Sequence, residues 1–173
     1  AMGAAPQAAL AQITLPRLSP ALQADMLAEV MAAASAVFGA AGADIVGGHS
    51  SVGDELTLGF TVTGIASYAP IPKNGARPGN VIVLTKPLGT GTILAAEMAM
   101  ARLTRRAGPL LGEVWAGCAA SMARPLGPAA AVLRAQATAM TDVTGFGLAG
   151  HLLEICDASG CGAPLRLADL PLL

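Results

Sequence analysis

The chain of 173 residues is long enough for one domain or two small ones. Its net charge of −1, with no basic run, excludes the electrostatic footprint of a protein that binds nucleic acid or an anionic membrane. Hydrophobic residues reach 54%, but the longest apolar stretch, residues 26–43, contains Glu29 and is mostly alanine and glycine. Such a stretch is too weak for a spanning helix, so the sequence predicts a soluble protein.

The three cysteines, Cys118, Cys156 and Cys161, form neither a Cys-x-x-Cys pair nor the spacing of a zinc site. An odd number of cysteines without a secretory signal favours a reducing compartment. We therefore expect a cytoplasmic location.

The N-terminal part of the chain alternates strand and helix signals. Residues 7–16 predict a strand that Pro16 closes. Ser19 and Pro20 suit the N-cap and first position of a helix, whose apolar residues then recur every three to four positions. Two more strands are predicted, residues 43–48, which run into a Gly-Gly turn, and residues 56–63, in which apolar and polar residues alternate.

A segment rich in proline and glycine, residues 69–79, predicts a domain boundary, with a long surface loop as the alternative. We expect a partial N-terminal domain over residues 1–72, a linker at 73–79 and a partial C-terminal α/β domain over residues 80–173. The elements predicted after the boundary are a strand at 81–85, a helix from Thr90 or Thr92 to residue 106, helices at 110–123, 128–137 and 144–158, and a strand at 163–168. The order indicates an α+β fold.

Residues 141–151, Thr-Asp-Val-Thr-Gly-Phe-Gly-Leu-Ala-Gly-His, combine an acid, two threonines, three glycines and a histidine. Glycines near a helix start let backbone N–H groups approach an anion, and Asp142 would face that anion across a divalent cation. The alternative is a loop-to-helix junction with a structural aspartate. His151 is interpreted as a histidine satisfied on the helix face.

Two further motifs precede this one, Gly-Gly-His-Ser at residues 47–50 and Leu-Thr-Lys-Pro-Leu-Gly-Thr-Gly at 84–91. A Gly-Gly pair after a strand is by itself most often only a turn. Lys86 lies outside a Walker A pattern, because no Gly-Lys-Ser/Thr follows, and it is left out of the candidate site. The three motifs together, in this order and spacing, closely resemble selenophosphate synthetase (selenide, water dikinase), a family related to aminoimidazole ribonucleotide synthetase.

The resemblance runs the whole length of the chain and implies a two-domain ATP-binding fold, with the second domain incomplete. It implies ATP contacts at Gly47, Gly48, His49 and Ser50 and a Mg²⁺ ligand at Asp142. It also implies ATP and selenide as substrates, with selenophosphate, AMP and phosphate as products, and a homodimer formed through the N-terminal sheet.

The chain departs from the family in what it lacks. The family's catalytic Cys or selenocysteine, its lysine and further metal-binding aspartates lie upstream of Ala1, so we expect a segment truncated at both ends and inactive alone. The alternatives are another family with this fold, such as thiamine-monophosphate kinase or a hydrogenase-maturation protein, or a non-catalytic domain for nucleotide binding or assembly. His49 argues against the former, because those families typically carry Asp or Glu there.

Overall fold

The computed structural model describes residues 4–100 and 110–173. These residues divide into two compact units, Ala4–Pro70 and Ile71–Leu173. The division falls at the beginning of the proline-rich segment 69–79. The assignment of residues 73–79 as a linker between domains 1–72 and 80–173 stays a prediction.

The first unit is a three-stranded sheet with one helix packed on it. Its elements are β1 (Ala5–Pro16), α1 (Pro20–Ala40), β2 (Asp44–Gly53) and β3 (Thr57–Ile65). β1 lies in the middle, parallel to β2 and antiparallel to β3. Parallel neighbours need a crossover connection, and α1 supplies it by returning the chain from the end of β1 to the start of β2.

The core of this unit lies between β1 and α1. Successive side chains of a strand point to opposite faces, and from Ala9 onward every second residue of β1 is buried, namely Ala9, Ala11, Ile13 and Leu15. The apolar residues of α1 that pack on them are Met26, Leu27, Val30 and Met31. The predicted strand and helix are confirmed, and Ser19 Oγ accepts a hydrogen bond from the backbone N–H of Leu22, 3.4 Å away, as its N-cap role requires.

Among the described residues, α1 is the one helix whose length and composition would also allow it to cross a membrane. A single helix of this kind is weak evidence of a membrane span, and none of its residues is fully buried. One face of α1 packs on the sheet, and the helix carries Asp25 and Glu29. These features identify α1 as the covering layer of the sheet.

β2 corrects one prediction. The Gly-Gly turn predicted to end the strand at residue 48 is wrong, because β2 continues through residues 47–50 to Gly53, paired with β1. A Cβ atom on Gly48 would lie 2.0 Å from the carbonyl oxygen of Ala11. This glycine is therefore required by the close approach of two parallel strands rather than by a change of chain direction.

The second unit consists of helices joined by irregular segments. They are α2 (Thr90–Met100), α3 (Leu110–Ala123), α4 (Gly127–Leu133) and α5 (Gly147–Ser159), followed by a short 3₁₀ turn, Leu167–Asp169. The predicted helices are confirmed in position. Two differ in length: α4 ends at Leu133, and α5 begins only at Gly147, because residues 144–147 first form a turn. Residues 101–106 of the first predicted helix lie outside the described residues.

The two strands predicted for this unit are wrong. Residues 81–85 form no strand, and Val81 and Val83 are 84% and 58% exposed. Residues 163–166 are irregular and lead into the 3₁₀ turn. A strand needs a neighbour to satisfy its N–H and C=O groups, and in the described part of this unit the only strand-like pairing is one parallel bridge, Leu88 with Leu172.

Candidate functional site

The segment that carries Asp142 is a tight loop ahead of α5. Asp142 is exposed, and its backbone carbonyl accepts a hydrogen bond from Thr141 Oγ1 at 3.3 Å. The loop closes where the N–H of Gly147 donates to the carbonyl of Thr144 at 2.9 Å. Gly147 has a φ of 66°, a left-handed conformation that glycine adopts without strain.

The glycines of this loop have different reasons to be glycine. A Cβ on Gly150 would lie 2.7 Å from Phe146 Cβ, so Gly150 is required by packing of the first helical turn against the loop. A Cβ on Gly145 would meet nothing within 4 Å. Gly145 therefore borders open space next to the N-terminus of α5, where no side chain caps the helix. Such an N-terminus presents backbone N–H groups that suit an anion.

A chain of hydrogen bonds ties this loop to α5. Thr144 Oγ1 lies 3.0 Å from His151 Nε2, and His151 Nδ1 lies 3.2 Å from Glu154 Oε2. Lys73 Nζ donates to the same carboxylate oxygen at 2.6 Å. The hydrogen bond from Lys73, and after it that from His151, lowers the pKa of Glu154, so the carboxylate is ionised at neutral pH.

The segment that carries Lys73 is fixed to α5 at a second place. Ser159 Oγ donates to the carbonyl of Lys73 at 3.0 Å and accepts from the N–H of Ala76 at 3.1 Å. The N–H of Met140 donates to the carbonyl of Pro72 at 3.3 Å. Residues 72–76 thus hold both the end of α5 and the start of the Asp142 loop.

The other predicted site residues lie on the first unit. Gly47, Gly48, His49 and Ser50 follow one another along β2, an outer strand of the sheet. His49 is exposed and pairs in register with Gln12. A cavity of about 430 Å³ lies there, lined by Leu10, Ala11, Gln12, Gly48, His49 and Thr61. Because Gln12 alternates with the buried residues of β1, the cavity opens on the sheet face opposite α1.

The metal-binding prediction depends on one carboxylate. Within residues 4–100 and 110–173 there is no group of three or more His, Cys, Asp or Glu side chains that could hold a metal ion. Mg²⁺ takes hard oxygen ligands and often only one or two of them from protein. The donor at Asp142 therefore fits a cation whose remaining ligands are water or phosphate oxygens.

Lys86 has a structural position. Its ammonium donates to the backbone carbonyl of Ser121 at 2.6 Å and to that of Arg124, at the C-terminal end of α3. The last carbonyls of a helix have no N–H four residues on to bond within the helix, although that of Ser121 also accepts the N–H of Arg124 at 3.4 Å. A cation there also interacts favourably with the helix dipole. This geometry agrees with the omission of Lys86 from the candidate site.

Sequence reasoning interpreted His151 as a satisfied histidine on the helix face and missed its hydrogen bond to Glu154 and the bond from Lys73 to the same carboxylate. The three-residue spacing of His151 and Glu154 on one helix was a readable signal. Lys73 is 81 residues from Glu154 along the chain, and nothing in the sequence pairs them.

Comparison with known families gives two matches that together cover most of the chain. The AIR synthase related protein N-terminal domain matches residues 1–66, and the C-terminal domain of the same family matches residues 77–173.

Curated relatives named "Selenide, water dikinase" match the whole chain. Those of Nitratidesulfovibrio vulgaris (strain Miyazaki F) and Citrifermentans bemidjiense are each 38% identical, and that of Myxococcus xanthus is 36% identical. The chain spans about half the length of these relatives, 47%, 48% and 47% respectively.

Two solved structures share the fold at lower identity. The hydrogenase maturation protein HypE of E. coli has a TM-score of 0.75 at 21% identity, over 99% of this chain and 51% of HypE. AaThiL complexed with AMPPCP and TMP has a TM-score of 0.70 at 18% identity, over 92% of this chain and 49% of AaThiL. Likeness at this identity supports the fold alone, and it confirms the two-domain α+β architecture expected from the resemblance.

Proposed function

Because the chain belongs to the AIR synthase related protein family, we propose that it is the nucleotide- and metal-binding part of a selenide, water dikinase. The reaction would convert ATP, selenide and water into selenophosphate, AMP and phosphate. One observation carries this proposal: relatives of that name are 36–38% identical across the whole chain. HypE and AaThiL share the fold at 21% and 18% identity, which favours neither of their functions for this chain.

The proposed roles follow from the chemistry of each residue. The outer strand β2 carries Gly47, Gly48 and Ser50, and the exposed His49 side chain lines the cavity on the open sheet face. These residues would contact ATP. Asp142 would hold Mg²⁺, which neutralises phosphate charge when bound. Phosphoryl transfer depends mainly on such positioning and charge neutralisation.

We expect the 173 residues alone to be inactive. One carboxylate cannot organise several cations around a triphosphate, and the described residues contain no metal-binding cluster to add to Asp142. By resemblance, no residue of this chain corresponds to the family's catalytic Cys or selenocysteine or to its lysine. A cytoplasmic homodimer formed through the N-terminal sheet is part of the same proposal.

The test is ³¹P NMR of the full-length protein with ATP, selenide and Mg²⁺. Selenophosphate and AMP should form in equal amounts, and Asp142→Asn should abolish or strongly reduce both. ATP that stays intact with selenide would refute the proposal. ATP consumption with thiamine monophosphate in place of selenide would support the kinase alternative, and nucleotide binding without turnover would support a non-catalytic domain.

A further inference from the structure

His151 occupies an unusual place for a polar residue. The residue is 7% exposed and is the buried residue of α5, whose other residues are half-buried or exposed. An aliphatic residue would fill that place without the cost of burying polar atoms. The imidazole is retained with both ring nitrogens bonded, one to the Asp142 loop and one to an ionised carboxylate.

The direction of these hydrogen bonds follows from the last acceptor in the series, the Glu154 carboxylate. The Glu154 carboxylate is ionised and can only accept, so it receives the proton on His151 Nδ1. In the neutral imidazole the other nitrogen, Nε2, is then an acceptor. The Thr144 hydroxyl must therefore donate to Nε2, which fixes both its rotamer and the orientation of its lone pairs.

Thr144 is thereby held by two groups at once. Its hydroxyl is bonded to His151, and its carbonyl accepts the N–H of Gly147 that closes the loop. Asp142 stands two residues earlier in the same loop, with an exposed side chain. A loop residue with two fixed bonds restricts its neighbours, so the position of the Asp142 carboxylate depends on the ring of His151.

We propose that His151 is a positioning residue, which orients the Asp142 loop for a divalent cation through Thr144 and is itself oriented by Glu154 and Lys73. The inference rests on the proposed metal role of Asp142. Partners that orient a metal ligand from behind typically change metal affinity by about 10- to 100-fold when they are removed. His151 would act without touching the cation or the substrate.

The first measurement determines the tautomer of His151, that is, which ring nitrogen carries the proton. The chain has only two histidines, and exposed His49 serves as the internal reference for His151. Nitrogen-15 NMR of this chain at neutral pH should show His151 protonated at Nδ1, with assignment by His151→Leu. A ring protonated at Nε2 alone would overturn the proposal, because Thr144 would no longer be the donor.

The second measurement uses Mn²⁺ as the probe of the site. Thr144→Val keeps the shape of the side chain and removes its hydroxyl, whereas His151→Leu keeps apolar packing and removes both ring bonds. Each should weaken Mn²⁺ binding, followed by electron paramagnetic resonance, by about 10-fold or more. Each should also speed amide hydrogen exchange at Gly147.

Lys86→Met is the matched control, because it removes an ammonium from the carbonyls at the end of α3 but leaves the Lys73 segment and the bond between Thr144 and His151 intact. It should destabilise the unit without changing Mn²⁺ affinity. Equal loss of Mn²⁺ binding in Lys86→Met and Thr144→Val would overturn the proposal, since general destabilisation would then explain both.

Different results would refute the metal role of Asp142 and the positioning role of His151. If the unsubstituted protein binds Mn²⁺ with the same affinity as Asp142→Asn, the metal role of Asp142 and with it this positioning role are refuted. If Asp142→Asn loses Mn²⁺ while Thr144→Val and His151→Leu keep full affinity, only the positioning role is refuted and the proposed function stands.

Discussion

In the first unit, an apolar segment at residues 5–16 forms the middle strand of a sheet, whereas in the second unit the equally apolar residues 81–85 form no strand. The difference lies in their neighbours. β1 has β2 on one side and β3 on the other, and α1 covers one face. Residues 81–85 have no strand beside them among the described residues. Strand propensity describes how well a residue fits a pleated, half-buried surface, and it cannot create that surface.

The second unit holds its irregular segments by a different kind of contact. Its side chains bond to backbone or carboxylate groups that are far away in the sequence. Lys86 donates to a carbonyl at the end of α3, Ser159 donates to the carbonyl of Lys73, and Lys73 donates to the carboxylate of Glu154. Stability in the first unit should therefore respond most to packing and strand approach, and in the second to single polar side chains. Four substitutions or conditions test this contrast.

The largest effect is expected at the closest contact between strands. Gly48→Ala would place a Cβ 2.0 Å from the Ala11 carbonyl oxygen, so the two strands must separate. We expect a loss of about 3 kcal/mol or more in the free energy of unfolding, or failure to fold. Gly59→Ala is the control, because its Cβ would meet Gln12 Cβ at an ordinary 3.8 Å. Hydrogen exchange of the β1 amides measures both, and equal protection in the two variants would contradict the strand contact.

The next prediction compares the loss of stability on substituting one isoleucine in each unit. Ile13 is 2% exposed between β1 and α1, and Ile82 is 42% exposed. Ile13→Ala should lower the free energy of unfolding by about 2–5 kcal/mol, because it leaves a cavity in the core. Ile82→Ala should change it by less than about 1 kcal/mol. Urea denaturation followed by circular dichroism gives both values, and a larger loss for Ile82 would show that residues 81–85 are packed after all.

A smaller effect is expected from the cation at the end of α3. Lys86→Met keeps most of the aliphatic stem and removes the ammonium from the carbonyls of Ser121 and Arg124. The expected loss is about 1–2 kcal/mol, because charged hydrogen bonds to helix-end carbonyls are replaced by water. Arg17→Met breaks the exposed ion pair with Asp54, 3.3 Å long, and should cost no more than about 1 kcal/mol. Fluorescence of Trp115, within α3, reports unfolding of the second unit, and an unchanged midpoint for Lys86→Met would refute the capping role.

The smallest effect is a pH dependence at Glu154. Its pKa is lowered in the folded protein, chiefly by the hydrogen bond from Lys73 and then by His151. The ionised carboxylate therefore contributes stability that is present above the ordinary glutamate pKa and is lost as the pH falls through the lower folded value. Glu154→Gln should remove this part of the acid sensitivity. Urea midpoints across the acidic range give the comparison, and curves of the same slope for both proteins would contradict the prediction.

Local signals predicted much of the fold. The strand at residues 7–16, the cap at Ser19 and the helix that follows it each depend on neighbours in sequence, and each is confirmed. The family resemblance predicted the fold class, which the comparisons confirm. The strand at 81–85 was wrong because pairing depends on residues far along the chain. The turn at Gly47 and Gly48 was wrong for a related reason, since a glycine demanded by an adjacent strand looks in sequence like a glycine demanded by a turn.

The candidate site could likewise be predicted only where the signal is local in the sequence. Asp142 and Gly47–Ser50 could be named from motifs, and their roles stay predictions. The polar support behind the Asp142 loop could not be named, because it joins Thr144 and His151 on one segment with Lys73 on another. Hydrogen bonds of this kind depend on tertiary packing, and no periodic pattern in the sequence indicates them.

The strand order β2–β1–β3 also has a consequence for how the protein is made. The central strand leaves the ribosome before either of its neighbours, and its last partner, β3, ends only at Ile65. Both edges of β1 lack a strand to pair with until β2 has been made, and the edge that pairs with β3 lacks one until β3 is complete. Contacts of such long sequence separation are slow to form, so the nascent segment is exposed to association with other chains. A chaperone that binds extended apolar segments would find β1 during this interval.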